Sequence, residues 1–253
     1  MLRFLMFETD KGKTATGIIE EDIIREITGN IFTGFKFTEN IYNPEDIRFL
    51  PPCNPTKIVC IGTNYYKHAE EMGRAIPSVP RLFMKPTCAL LGHGGNIIYP
   101  DWMSEHIDYE GELAVVIGRE AYRVKEDCIF DYIFGYTCLN DITARDLQKI
   151  DGQFTRAKGF NTFAPIGPWI ETSADPYSLE IITRVNGVIK QKANTSGQIF
   201  PVHKLVSFIT QIMTLYPGDI IATGTPAGVG PLKKGDIVEV SIKGIGTLRN
   251  RVI

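Results

Sequence analysis

A chain of 253 residues is long enough for one sizeable domain with a small appendage, and for a core that needs no disulfides. Its 27 Lys and Arg against 29 Asp and Glu leave a formal charge of −2, which excludes nucleic-acid binding through bulk basicity and docking through a polybasic membrane-surface patch. Hydrophobic residues at 43% and charged residues at 22% place it among ordinary globular proteins, far from disordered compositions.

In chain order, the opening MLRFLMFETDKGK meets Glu8 and Asp10 too soon for a signal peptide, and no apolar run approaches the roughly 20 residues of a membrane span. A cytoplasmic protein is expected. RFLMFET, ATGIIEE and DIIREIT read as short strands of a small N-terminal β-rich module, residues 1–50. The stretch NPEDIRFLPPCNPTK carries four prolines and suits an extended connector, so a boundary is placed near Leu50 and a second domain over 51–253. There KIVCIG, ELAVVIG and YIFGYTCL are apolar strand runs. EIITRV-NG-VIKQK predicts a hairpin, because Asn186-Gly187 tolerates the positive φ of a type I′ turn. YPGDIIATG and KKGDIVEVSIKGIGTLRNRV add further strands. Helices are few: VHKLVSFITQIMTL, with Leu205, Phe208, Ile212 and Leu215 at helical spacing, and a shorter one beginning near Asp141. Many strands and few helices predict a β-rich α+β fold.

The five cysteines are odd in number and form no Cys-x-x-Cys pair, so reduced, mostly buried thiols are expected. Asn194-Thr195-Ser196 matches a glycosylation sequon of little meaning inside a cell. No Ser stands in a Gly-x-Ser-x-Gly context, no Walker lysine motif occurs, and neither Gly-rich stretch has the spacing of a dinucleotide fingerprint. His93-Gly94-Gly95 reads as a turn before the strand NIIYP.

The segment HIDYEGELAVVIGRE carries the chemistry. If ELAVVIG is a strand, Glu110 and Glu112 share the face of Ala114 and Val116, while Leu113, Val115 and Ile117 take the other. A strand apolar on both faces is buried, and two buried carboxylates repel each other unless something positive compensates. No Lys or Arg lies within the strand, so a bound cation is the economical explanation; the alternative is a solvated strand end. In YIFGYTCLNDITARDLQKI, Asp141 sits where a strand runs into a helix, with Arg145 and Gln148 on the same helix face; the alternative is a helix-capping Asp beside a solvated Arg. Glu110, Glu112 and Asp141 together would make an all-oxygen site, which suits Mg²⁺, Mn²⁺ or Ca²⁺ rather than zinc. In IGTNYYKHAEEMG, His68 and Glu71 are three apart, so the Glu can orient the imidazole; a plain surface pair is the alternative. Lys85 and Lys158 lie in apolar or Gly-flanked segments and either can snorkel to the surface.

The ordered motifs G-T-N-Y-x-x-H-x-x-E, F-M-K-P, D-Y-E-G-E-L-A-V-V-I-G, N-D-I-T-A-R-D-x-Q, A-K-G-F-N-T-F-x-P-x-G-P and Y-P-G-D-I-I-A-T-G-T-P-A-G-V-G resemble the fumarylacetoacetate hydrolase family over residues 57 to 253. The first fifty residues resemble the small N-terminal module of many bacterial and archaeal members. The resemblance implies a mixed β-sandwich roll, a homodimer, and a Mg²⁺ (or Mn²⁺, Ca²⁺) site from Glu110, Glu112 and Asp141. It further implies that Arg145, Gln148, Lys158 and Thr225 face the substrate's carboxylate and oxo groups, and that His68 and Glu71 form a general-base dyad on a lid-like segment. Asn161 stands where many relatives have Asp, which removes a charge close to Lys158.

Such a site suits small 2-oxo acids, bound through carboxylate and oxo groups and reacting through a metal-bound enolate. Hydrolysis of a C–C bond in an acylpyruvate, fumarylpyruvate- or acetylpyruvate-like, is the leading expectation, with His68 deprotonating the attacking water and Lys158 adding fixed positive charge. The alternatives are an isomerase, tautomerase or decarboxylase acting on oxaloacetate or on 2-hydroxyhepta-2,4-diene-1,7-dioate-like compounds of aromatic catabolism. A non-catalytic metal-dependent ligand-binding protein is the alternative of another class.

Overall fold

The strand Gly111–Ile117 shows how the sequence builds the protein. In the computed structural model, which describes residues 2–253, all seven of its residues are buried. Period-two alternation sends Ala114 and Val116 into one apolar cluster and Leu113, Val115 and Ile117 into another. The strand therefore lies between two cores, which is why it reads as an unbroken apolar run.

Gly111–Ile117 pairs antiparallel with Ile133–Asn140 on one side and Ile220–Ala222 on the other. Beyond Ile220–Ala222 the sheet continues through Ile58–Ile61, in parallel, and ends at the edge strand Leu82–Lys85. In the other direction it runs through Ala164–Glu171 to the N-terminal strands Arg3–Thr9, Thr14–Glu20, Ile23–Asn30 and Gly34–Tyr42. The first fifty residues thus extend the large sheet, in the register Arg3↔Glu171 and Phe4↔Ile170, and also carry their own apolar cluster of Leu5, Phe7, Ala15, Ile19 and Ile24. The proline-rich connector is more ordered than expected: Ile47–Phe49 forms a strand against Arg3–Thr9, because Ile47 and Phe49 pack on that cluster.

A five-stranded sheet of Val188–Asn194, Glu180–Val185, Ile237–Ile242, Gly246–Val252 and Asn96–Ile97 covers the Leu113 face. Its hairpin turns at Asn186 (φ 50°) and Gly187 (φ 78°), the two positive φ values that a type I′ turn requires. The sandwich of β-sheets matches the expected fold.

The best helix is shorter than its spacing suggested. It spans Val202–Thr210 and buries Val202, Leu205, Val206 and Ile209, while Ile212 is exposed. Leu215 is buried through an antiparallel bridge to Ala121 instead. Ser207 and Thr210 explain the shift: their hydroxyls bond the backbone of Val124, so the polar pair faces the Ala121–Val124 segment. Among the described residues no helix is long and apolar enough to cross a membrane. Cys53, Cys60 and Cys138 are buried free thiols, whereas Cys88 and Cys128 are exposed.

Candidate active site

A small sheet of Thr143–Ala144, Ile107–Tyr109 and Gly230–Leu232 closes the end of the sandwich where the carboxylates lie. Glu110 sits in the one-residue gap between Ile107–Tyr109 and Gly111–Ile117, and Asp141 directly follows Ile133–Asn140. Two bonds stitch these strand ends together: Asp141 N donates to Glu110 O (2.8 Å), and Glu110 N donates to Asn140 Oδ1 (2.9 Å). The register fixed by the two strands thereby brings Glu110, Glu112 and Asp141 together. A carboxylate oxygen from each lies within 4.8 Å of the others, and all three residues are buried. Oxygens bound to one ion at roughly 2.0–2.6 Å can be no farther apart than about 5 Å, so the three are able to hold a single hard cation.

The absence of a positive partner, inferred from the strand alone, does not hold. Lys158 Nζ lies 2.8 Å from Glu110 Oε2 and 2.5 Å from Asp141 Oδ2. Lys85 Nζ donates to Asp141 Oδ1 (2.6 Å) and to the Ile142 carbonyl (3.1 Å). Neither lysine snorkels: Lys85 is 1% and Lys158 2% exposed. Arg145 NH2 reaches Glu110 Oε1 at 2.5 Å, its Nε reaches Asp108 Oδ2 at 2.8 Å, and its NH1 donates to Gln148 Oε1 at 2.6 Å. Asn161 is exposed, and Lys158 takes its carboxylate partners from Glu110 and Asp141.

The electrostatics separate the carboxylates. Burial penalises the charge of Glu110, but Lys158 and Arg145 outweigh it and hold the carboxyl down at about 2. Glu112 accepts a hydrogen bond from Gly224 N (2.7 Å) and meets no cation; burial, Asp141 and Glu110 push its carboxyl well above the usual range. Burial lowers the Lys85 amine despite Asp141, whereas Lys158, pulled down by burial, is held above its ordinary value by Asp141 and Glu110. With Asp108, four carboxylates face three cations, so one negative charge is in excess and Glu112 is the unmatched member.

Asp141 is not on the helix with Arg145 and Gln148. That helix spans Arg145–Asp151, and Thr143–Ala144 pairs with Ile107–Tyr109 before it begins. Arg145 is brought to Glu110 by its own backbone N, which donates to His106 O (2.8 Å).

His68 lies on the one-and-a-half-turn helix Tyr66–Glu71, with Nδ1 3.0 Å from Glu71 Oε2. The imidazole is buried, whereas the Glu71 side chain is 36% exposed, so the pair joins a buried base to a solvent-facing carboxylate. Glu71 Oε1 accepts from Gly228 N (2.9 Å), and the Tyr109 hydroxyl donates to Gly228 O (2.8 Å). Thr225 Oγ1 donates to Gly111 O (3.0 Å) and accepts from Gln191 Nε2 (2.8 Å). His68, Glu110, Glu112, Arg145, Gln148, Lys158 and Thr225 line one cavity of about 30 Å³, walled by the edge-to-face pair Phe83 and Phe154. Sequence reasoning missed Asp108, although it alternates with Glu110 and Glu112 along one face, and missed the partnership of Lys85 with Asp141, which no local pattern reveals.

Residues 57–253 match the family described as fumarylacetoacetate (FAA) hydrolase C-terminal, and residues 1–52 match one described as Rv2993c-like, N-terminal. An uncharacterised protein of Archaeoglobus fulgidus is 58% identical over 207 residues, covering 82% of each chain. The oxaloacetate tautomerase YisK of Bacillus subtilis is 41% identical over 226 residues, 84% of this chain and 75% of the relative. Among solved structures, the 2-hydroxyhepta-2,4-diene-1,7-dioate isomerase of Mycobacterium marinum superposes with a TM-score of 0.93 at 43% identity, covering 100% of this chain and 98% of that one. With most of its length matched and these buried carboxylates at its centre, the chain belongs to the fumarylacetoacetate hydrolase family.

Proposed function

We propose that the protein is a divalent-metal-dependent enzyme that moves protons on small 2-oxo acids, interconverting the keto and enol forms of oxaloacetate or isomerising related 2-hydroxy-dienedioates. The observation that carries this reading is that His68, paired with Glu71, lines the same cavity as Arg145 and Lys158. The similarity to an oxaloacetate tautomerase supports the choice of substrate. Glu110, Glu112 and Asp141 would hold Mg²⁺, or Mn²⁺ or Ca²⁺, which supplies Lewis-acid stabilisation of negative charge developing on the substrate. Arg145 binds a substrate carboxylate through its guanidinium, Gln148 and Thr225 line the same pocket, and Lys158 places an ammonium beside the oxo group. With Nδ1 directed to Glu71, His68 has Nε2 for the proton: it takes one from the carbon next to the oxo group, water gives one to the oxo oxygen to form the enol, and the imidazolium returns its proton to the hydroxide so formed. A cytoplasmic homodimer completes the reading, the dimer being measurable by light scattering.

Hydrolysis of an acylpyruvate C–C bond is the second reading, favoured by the same pair: His68, oriented by Glu71, can deprotonate an attacking water as well as a carbon. NMR separates the two. With Mg²⁺, accelerated keto–enol exchange of oxaloacetate and untouched acetylpyruvate are expected; pyruvate plus acetate from acetylpyruvate would establish hydrolysis instead, and loss of neither activity on chelation would remove the metal from the mechanism.

The anchor of Glu71 gives a prediction of its own. Gly228 has φ +96°, and a Cβ there would lie 2.3 Å from Lys190 O, so only glycine fits where its N–H meets Glu71. Gly228→Ala is expected to lower kcat by about 10–100-fold through misplacement of the pair, with native circular dichroism. An unchanged kcat would show that His68 does not depend on this loop.

A further inference from the structure

Arg145 is held more completely than substrate binding alone requires. Three of the five N–H donors of its guanidinium go to protein acceptors: Nε to Asp108, one on NH1 to Gln148 and one on NH2 to Glu110. One N–H on each terminal nitrogen remains, on a residue that lines the cavity. A guanidinium that keeps a donor on each of its terminal nitrogens can still meet a carboxylate in bidentate fashion.

The three protein acceptors are not equivalent. Gln148 is neutral and sits on the same helix as Arg145. Glu110 is shared: its Oε2 accepts from Lys158, and it belongs to the acidic triad. Asp108 alone is a full negative charge outside the triad. It is 5% exposed, and its backbone is locked on both sides, in register with Thr143 and with Pro231. Its second oxygen is also fixed, accepting from His106 Nε2 at 2.8 Å. The segment His106–Asp108 holds the arginine twice, since Arg145 N donates to His106 O and Arg145 Nε donates to Asp108 Oδ2. The backbone and the guanidinium of Arg145 are thus both fixed by one three-residue segment.

We infer that Asp108 is a positioning residue, which aims the free edge of the Arg145 guanidinium at the carboxylate of a 2-oxo acid, with His106 holding Asp108 in turn. The inference rests on the proposed role of Arg145 as carboxylate receptor. It adds that the aim comes from Asp108, whose hold on Nε is independent of the triad and of whatever the triad binds. Loss of Asp108 frees Nε and allows the fork to rotate, which weakens carboxylate binding and leaves the triad's own donors in place.

The test is calorimetry on the Mg²⁺-loaded full-length protein with oxalate, which carries two adjacent carboxylates and undergoes no turnover. Asp108→Asn is expected to weaken oxalate binding by about tenfold or more, with Mg²⁺ affinity within about twofold of the parent. Arg145→Ala is expected to weaken it at least as far, and adding Asp108→Asn to Arg145→Ala to cost nothing further, since both act through one guanidinium. Asp108→Ser, which leaves space for a water, serves if Asp108→Asn folds poorly. Steady-state kinetics should show the effect of Asp108→Asn chiefly in KM. Unchanged oxalate affinity in the Asp108 variants, beside a large loss in Arg145→Ala, would overturn the inference and leave the functional reading intact. Unchanged affinity in Arg145→Ala would overturn both. A parallel loss of Mg²⁺ affinity in Asp108→Asn would show that Asp108 acts through the triad, and would overturn the inference alone.

Discussion

His68→Ala is expected to reduce kcat on oxaloacetate by about 10³-fold, the usual worth of a well-placed acid–base group. The imidazole touches the cavity, is oriented by Glu71, and makes no hydrogen bond to the acidic triad. Its loss should therefore leave Mg²⁺ affinity within about twofold of the parent by calorimetry, and shift the melting temperature by only a few degrees, as is usual for one partly packed side chain. Glu71→Gln keeps a hydrogen-bonding group beside Nδ1 and so still orients the ring, and a smaller loss, about tenfold, is expected. Parental turnover in His68→Ala would remove the proton-transfer role assigned to this residue.

The second large effect is on stability. Lys158→Met keeps the length and apolar stem of the side chain but leaves Glu110 and Asp141 without the ammonium they share. Breaking a buried pair by removing one partner costs about 3–5 kcal/mol, which for a chain of this size is a drop of roughly 10 °C in melting temperature. The pH dependence follows in sign. Glu110 is held at about 2 in the folded chain, below the ordinary value of 4.5, so its stabilising interaction with Lys158 is present above that ordinary value and fades as pH falls towards the folded one. The gap between parent and Lys158→Met should therefore be widest near neutrality and shrink below about pH 4. Added Mg²⁺ should raise the melting temperature of the parent in a concentration-dependent way, since a ligand of the folded state stabilises by mass action. A melting curve unmoved by millimolar Mg²⁺, Mn²⁺ and Ca²⁺ alike would sink the cation assignment, and a gap constant from pH 7 to pH 3 would show that Lys158 does not act through these carboxylates.

The carboxylates of Glu110 and Glu112 illustrate how far local pattern reaches. Alternation along ELAVVIG is a property of any strand, so their shared face and their burial were both legible before any coordinates. What compensates them was not. Lys85, Lys158 and Arg145 arrive from an edge strand, a short helix and the start of another helix, separated from Glu110 by 25 to 48 positions in sequence. Side chains from distant elements therefore meet most of the charge that the strand alone leaves uncompensated, and Glu112 is the carboxylate left without an ion-pair partner, within the triad able to hold a cation. Asp141 tells a similar story. Its place at a strand end was readable, but Thr143–Ala144 pairs with Ile107–Tyr109 and delays the helix to Arg145, a consequence of a partner strand that local propensity does not contain.

The motifs themselves determined a good deal: the β-rich sandwich, the type I′ hairpin at Asn186-Gly187, the buried central strand, the family, and the grouping of His68 with Glu71 and of Glu110, Glu112 and Asp141 as candidates. These rest on short-range rules of alternation, turn chemistry and i,i+3 spacing, together with an ordered set of motifs. Only the tertiary structure decided which charges meet, that the lysines are buried and not snorkelling, that the N-terminal strands extend the main sheet, and that Asp108 and Gly228 hold Arg145 and Glu71 from outside their own elements. The physical reason is that a buried charge selects its partner by proximity in a medium where electrostatic interactions are strong and unpaired groups are costly, and proximity between elements far apart in sequence is set by the packing of whole sheets.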